Sequence, residues 1–292
     1  GSGAGGGSLD PLSNSTSNNH PLIKKILANP LYKRMYMAHI RTMVQEMIGG
    51  NWYLNQANTL RATIDAAVQA DPFKFYTYTQ YQNSLTTTVA GGGPGGGQSI
   101  PGIQTLMNER LAYFQTEQNY LYAAPSITSY TSSVLSPSFN QSFTLNATAT
   151  NETALYLGYR TSHVLKFNRV QMFDDGNHGD GLAGDHTYGY TVTADGPVFE
   201  YYFYADNANA GLCSPQRAEH EFHTLSLNVP APTSGQVQIN EVMSDNDLTH
   251  EDPYGESNDW IELHNTTATA LNLSGLYLSD NVNNPLKWVV PA

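Results

Sequence analysis

"MFDDGNHGDGLAGDHTYGYTVTADGPVFEYYFYAD", residues 172–206, sets an Asp/Gly-rich loop beside two aromatic segments, and the choice between strand and helix here decides the fold. "YGYTV" (188–192) and "VFEYYFYAD" (198–206) are rich in β-branched and aromatic residues and are bounded by turn formers, the pattern of strands. "TALYLGYR" (153–160), "LKFNRVQMF" (165–173) and "FHTLSLNV" (222–229) read the same way. Their spacing predicts an antiparallel sandwich. Within 153–160, alternation places Leu155, Leu157 and Tyr159 on one face and Tyr156 and Arg160 on the other.

Upstream the period changes. "HPLIKKILANPLYKRMYMAHIRTMVQEMI" (20–48) has Leu22, Ile23, Ile26 and Leu27 on one helical face. Asn29-Pro30 breaks and restarts the helix, since Asn caps well and Pro fits a first turn. Leu31, Met35, Ile40, Met43, Val44 and Met47 then continue as a stripe expected to be buried, with the methionines as core filler. Leu60, Ile64, Ala67 and Val68 repeat the pattern up to Asp71-Pro72, and Ile103, Leu106, Leu111 and Phe114 form the face of a helix beginning near Pro101. The glycine run 91–97 lacks the Lys-Ser/Thr of a phosphate cradle and reads as a flexible linker. Composition shifts at "AAPSITSY" (123–130), and "PAPTSG" (230–235) is a hinge. The expected organisation is a helical region 1–124, an antiparallel β-sandwich 125–230, and a second, truncated antiparallel β-sandwich 235–292: multidomain, α plus all-β. "GSGAGGGSLDPLS" at one end and "WVVPA" at the other read as cuts through a longer protein.

Composition narrows function. Of 292 residues only 13% are charged, about half the usual share. Asn, Thr, Ser, Gln and 19 tyrosines supply the polarity, a palette suited to an extracellular or cell-surface protein. A net charge of −12 offers no footprint for nucleic acid or anionic membranes. No apolar run is long enough for membrane insertion. The single Cys213 excludes an internal disulfide or a multi-cysteine metal site and reads as a small packed side chain.

Three resemblances then fall in order along the chain. "PLIKKILANPLYKRMY", "IDAAVQADP" and "IPGIQTLMNERLAYF" resemble the C-terminal helical part of a CotH-type protein kinase domain. "MFDDGNHGDGLAGDHTYGY" followed by "VFEYYFYADN" is similar to the immunoglobulin-like module that follows such kinases in bacterial surface proteins. "INEVMSDN", "DWIELHNTT" and "LNLSGLYLSD" resemble a lamin tail domain. The first resemblance implies ATP-dependent phosphorylation with Mg²⁺-binding aspartates and a nucleotide lysine. Those groups belong upstream of the matched part: before residue 20 the chain has only Asp10 and no lysine. Phosphoryl transfer needs such cations and carboxylates, so ATP and Mg²⁺ are expected only in the complete parent, and Lys24, Lys25, Lys33 and Arg34 read as solvated helix faces. Three functions follow from the resemblance: β-modules that anchor a kinase-like part and bind protein or glycan at a cell surface, a piece of an active secreted kinase, or an adhesive protein with a degenerate kinase-like part.

The Asp/Gly stretch is the candidate site. Asp174, Asp175, Asn177, Asp180 and Asp185 offer the hard oxygens that Ca²⁺ gathers in sixes to eights. The spacing is not that of an EF-hand, because no Glu closes the loop at the twelfth position. The same residues also suit a long β-hairpin loop in which Asp and Asn accept backbone N–H groups and Gly takes positive φ, and both readings stand. His178 reads as exposed. His220 and His223 lie three apart in a strand-like pattern, where side chains diverge, so they do not form a chelating pair. Glu241, Asp259 and Glu262 are isolated carboxylates, and Trp260 and Trp288 are read as core anchors.

Overall fold

A computed structural model describes residues 6–90, 99–196, 198–247, 249–252, 254–273 and 276–290; the glycine run 91–97 read as a linker lies outside them. Helix α1, Pro21–Ala28, ends at Asn29, whose Oδ1 accepts the Leu31 and Tyr32 amides and so starts α2, Pro30–Met43. A π-helical turn, Val44–Gly49, continues α2. Helix α3, Trp52–Ala70, stops at Asp71. Helix α4, Tyr78–Asn83, opens on a capping box of Thr77 and Gln80. Helices α5, Ile103–Phe114, and α6, Gln118–Leu121, complete the region.

Strands β1 (Ser126–Ser132), β2 (Ser142–Thr150) and β5 (Thr187–Thr193) form one antiparallel sheet in the order β1-β2-β5. Strands β3 (Ala154–Arg160), β4 (Asn168–Gln171), β6 (Phe199–Asp206), β7 (Gly211–Ser214) and β8 (His223–Leu225) form a second, in the order β4-β3-β6-β7 with β8 also on β6. Between the sheets lie Phe143, Leu145, Ala147 and Ala149 from β2, Leu155 and Leu157 from β3, and Phe199, Tyr201, Phe203 and Ala205 from β6. The alternation read in residues 153–160 is the one observed.

All eight residues of β6 are buried. Its other face, with Tyr202 and Tyr204, packs with Tyr156 and Cys213 against Leu31 and Met35 of α2. Gly158 makes this possible, since an added Cβ would sit 2.1 Å from the Tyr202 ring. Two carboxylates are carried on the same face. Asp206 binds Arg34 of α2 at 2.6 Å, and Glu200 binds Arg160 at 2.5 Å and His163 at 2.7 Å. Farther along, Arg41 donates to the Gly211 carbonyl and Arg217 pairs with Glu46 of the π-helical turn. Helix α2 is therefore a third layer on the sandwich. Arg34, expected on a solvated face, instead faces the sheet because Asp206 is buried there and needs a cation.

Two other expectations are corrected. Neither α1 nor α3 buries a residue, and Leu22 (70%) and Leu60 (65%) are largely exposed, because the described residues cover those faces only in part, leaving Leu27 and Val68 half-buried. Beyond the sandwich, β9 (Val237–Met243) pairs with β10 (Trp260–Asn265), and β11 (Tyr277–Leu278) with β12 (Trp288–Val289). These two ladders bury Asn246 but little apolar surface. Trp260 is half-buried and Trp288 is exposed rather than a core anchor.

These layers set opposite costs for two similar truncations. Leu157→Ala should destabilise the sandwich by about 2–5 kcal/mol in urea unfolding, and Leu22→Ala by less than about 0.5 kcal/mol. Equal effects would show that α1 has a buried face.

Candidate functional site

The Asp/Gly stretch is the crossover from β4 in one sheet to β5 in the other. It folds back over the outer face of β2 and β5, where Asn146 donates to the Gly179 carbonyl at 2.7 Å. Gly189 is the floor, since a Cβ there would meet the His178 carbonyl oxygen at 2.4 Å. Phe173 pairs with Gly189 through both backbone bonds, and its ring stacks on His178 at 4.4 Å.

Each predicted aspartate accepts backbone amides. Asp174 takes those of Gly184, Asp185 and His186. Asp180, 3% exposed, takes those of Asp175, Gly176 and His178 at 2.6–3.0 Å. Asp185 takes Leu182 and Thr187, and Asp175 takes Asn177 along with the His178 ring. The Asn177 side chain donates to the Asp175 carbonyl, so it does not join the carboxylates. The oxygens that an ion would need thus hold the turn, and the glycines 176, 179, 181 and 184 supply its positive φ angles. Among the described residues no three His, Cys, Asp or Glu side chains converge as a metal site would require.

The loop's electrostatics follow from those bonds. The His178 ring and the Asn177 amide hold Asp175 below the usual carboxylate range. Burial pushes Asp180 up, but its backbone donors together outweigh this and it ends low. Asp185 is lowered chiefly by the Thr187 amide. His186, at φ +66°, is the reverse: Glu152 binds its Nδ1 at 2.7 Å and raises it. Glu152 is fully buried, also accepts the Tyr188 hydroxyl, and burial with this neighbour pushes Tyr188 up to about 12. Neither Glu152 nor His186 was singled out from sequence. They lie 34 positions apart in unrelated patterns, and only the packing of β2 against β5 brings them together.

The remaining candidates separate. His223 lies in β8 between Tyr130 and Ser214, held low by burial, whereas His220 is in the preceding turn and lines the seam beside α2. Cys213 is buried, and its thiol is pushed up to about 12, far from a nucleophile's range. The seam leaves a cleft of about 560 Å³ lined by His39, Thr42, Glu46, Arg217, Glu219 and His220. Burial lowers His39, with Glu219 acting against it. Glu241 and Glu262 stand opposite each other across β9 and β10, and Asp259 accepts the Asn246 amide. No described helix is long and apolar enough to cross a membrane.

The C-terminal ladders, β9 with β10 and β11 with β12, form a small β-module of two antiparallel pairs. A family profile identifies it: residues 230–292 match the lamin tail domain, so the chain carries one, as its Ile-Asn-Glu and Trp-Ile-Glu-Leu-His-Asn segments suggest. Residues 1–229 lie outside that match. No curated protein matches the chain.

Depressed carboxylates stabilise the folded state above their unfolded values and lose that contribution as pH falls, whereas the raised His186 contributes fully below about pH 6.5 and loses it as pH rises. The melting temperature should therefore drop as pH falls from about 5 to 3. Asp180→Asn should cost about 1–3 kcal/mol at neutral pH, leaving a buried amide short of an acceptor, and should flatten that acid limb. An unchanged limb would separate Asp180 from the acid sensitivity.

Proposed function

We propose that the chain is a non-catalytic positioning unit: a helical segment resembling the end of a CotH-type kinase domain, set on an immunoglobulin-like sandwich and followed by a lamin tail domain. In this reading the β-modules hold a kinase-like part at a cell surface and present their loops to protein or glycan. The observation that carries it is the two-sided burial of β6, with Arg34–Asp206 and Glu46–Arg217 tying α2 and its π-helical turn to the sheet. Helices bound in this way hold one orientation relative to the sandwich. The nucleotide-binding lysine and Mg²⁺ carboxylates that the kinase resemblance implies are assigned to a parent upstream, since the segments carrying the resemblance match only the end of such a domain. The aspartate loop serves as the structural clasp between sheets, a role supported by its amide-saturated carboxylates.

Spin labels on α1 and β5 should give one narrow distance distribution, which Arg34→Ala combined with Arg217→Ala broadens. A broad distribution in the unaltered chain would remove the positioning role. Isothermal titration with millimolar Mg·ATP should give no binding heat, and saturable binding would move the nucleotide site into this chain. Millimolar Ca²⁺ should leave the melting temperature unchanged. A rise with concentration would make the aspartate loop an ion site, because a ligand that binds the folded state stabilises it.

A further inference from the structure

The lamin tail domain contains a cleft that the positioning role does not use. Residues of β9, β10 and the described parts of their connection line an open groove of about 1010 Å³. Met243 and Trp260, cross-strand partners, give it an apolar floor, and Glu251, Glu256 and Glu262 stand exposed among its walls. The walls are pre-formed. Asn246, 4% exposed, accepts the Thr249 and His250 amides and donates to the His250 and Asn258 carbonyls, and Asp252 accepts the Tyr254 and Glu256 amides.

The charge of this region is uncompensated. Residues 230–292 hold nine Asp and Glu against one Lys or Arg, Lys287, which binds Asp280. Among the described residues no Lys, Arg or His forms an ion pair with a carboxylate of the cleft. Glu241 and Glu262 are direct cross-strand partners on the strand face that also carries Met243 and Trp260, a like-charge arrangement that costs stability when nothing neutralises it. A cationic side chain whose aliphatic stem lies on the apolar floor, with its head among the glutamates, would relieve the repulsion and lie against an indole that favours cations. Apolar floor, acidic walls and absent internal cations fit one occupant better than a sugar or an anion.

We propose that this cleft is a docking groove for an extended lysine- or arginine-bearing segment of a partner protein. The assignment is independent of the positioning role. The test uses the full chain with Trp52→Phe and Trp288→Phe, both exposed positions, so that only Trp260 emits. The probe is a labelled octapeptide alternating lysine with tyrosine, followed by anisotropy and by energy transfer from Trp260 to the label. Saturable binding with quenching of Trp260 is expected, weakening as salt rises. Glu251→Gln with Glu256→Gln and Glu262→Gln keeps shape and acceptors and should weaken binding about tenfold or more. Glu109→Gln with Asp195→Asn and Glu221→Gln makes the same charge change elsewhere and should weaken it less than about threefold. Equal weakening in both variants would reduce the effect to general charge attraction and overturn the groove. So would binding without a Trp260 response, or no binding at all. Equal affinity for spermine would give the site to small polyamines, and light scattering that shows a dimer lost in the cleft variant would give it to a second copy; either overturns the proposal.

Discussion

A strand covered on both faces can place no polar group without a partner, and β6 is such a strand. Phe199, Tyr201, Phe203 and Ala205 enter the space between the sheets, while Glu200, Tyr202, Tyr204 and Asp206 enter the layer against the helices and the loops beside them. Two of these are carboxylates. An unpaired buried charge costs several kcal/mol, so each must meet a cation delivered by another element. Arg160 reaches Glu200 from the neighbouring strand, braced between the Phe167 and Phe222 rings at 4.5 and 5.1 Å. Asp206 takes its cation from α2. The need to neutralise Asp206 thus fixes where α2 lies, and with it the π-helical turn and the seam of His39, Glu46 and Arg217.

The same economy governs the aspartate loop with a different donor. Among the described residues no arginine pairs with them, and the carboxylates turn to backbone amides, which the positive-φ glycines expose on the inside of a tight path. Charge-assisted bonds to backbone N–H are stronger than neutral ones, and they let a glycine-rich crossover lie in one shape over Asn146 and Gly189. Glu152 is the exception. Its side chain is buried, with one oxygen shared between His186 and Tyr188 and the other without a partner, so two neighbours hold the β2–β3 corner through a single carboxylate oxygen.

Much of this was legible in sequence where side-chain chemistry and period agreed. Asn29-Pro30 marked the restart of α2, Asp71-Pro72 the end of α3, and the alternation in 153–160 its two faces. The Asp/Gly composition of 173–190 marked a loop, but it is a crossover between two sheets rather than a hairpin, and composition did not say which atoms its oxygens would meet, because backbone donors leave no trace in residue identity. Strand β2 escaped notice because half its inward positions are Ala147 and Ala149, too small to give a hydrophobic alternation, and β7 because four residues show no period. The stripe of α2 was read as core, yet Met43 at its end is exposed, and the partner of Leu31 and Met35 is the outer face of a sheet more than 120 positions away, which no local pattern announces. Leu22 and Leu60 show the converse: helical period reports amphipathicity, not the presence of a partner.

Set side by side, the two β-modules treat their acids differently. In the sandwich, buried Glu200 and Asp206 are neutralised by arginines of the same chain, and the loop aspartates by its amides. In the lamin tail domain the glutamates remain in water, where solvation makes an unpaired carboxylate cheap. Glu241 and Glu262 are nevertheless held opposite each other by the β9–β10 register, and the bulge between Glu262 and Leu263 does not separate them. Either strand could have carried a lysine at no cost to the ladder, and the sequence has only Lys287 to offer, which is tied to Asp280. A surface whose charges are neither buried, paired nor dispersed is poorly explained by stability alone. Its counter-charge must come from solvent ions or from another molecule, and an apolar floor beneath it favours the molecule.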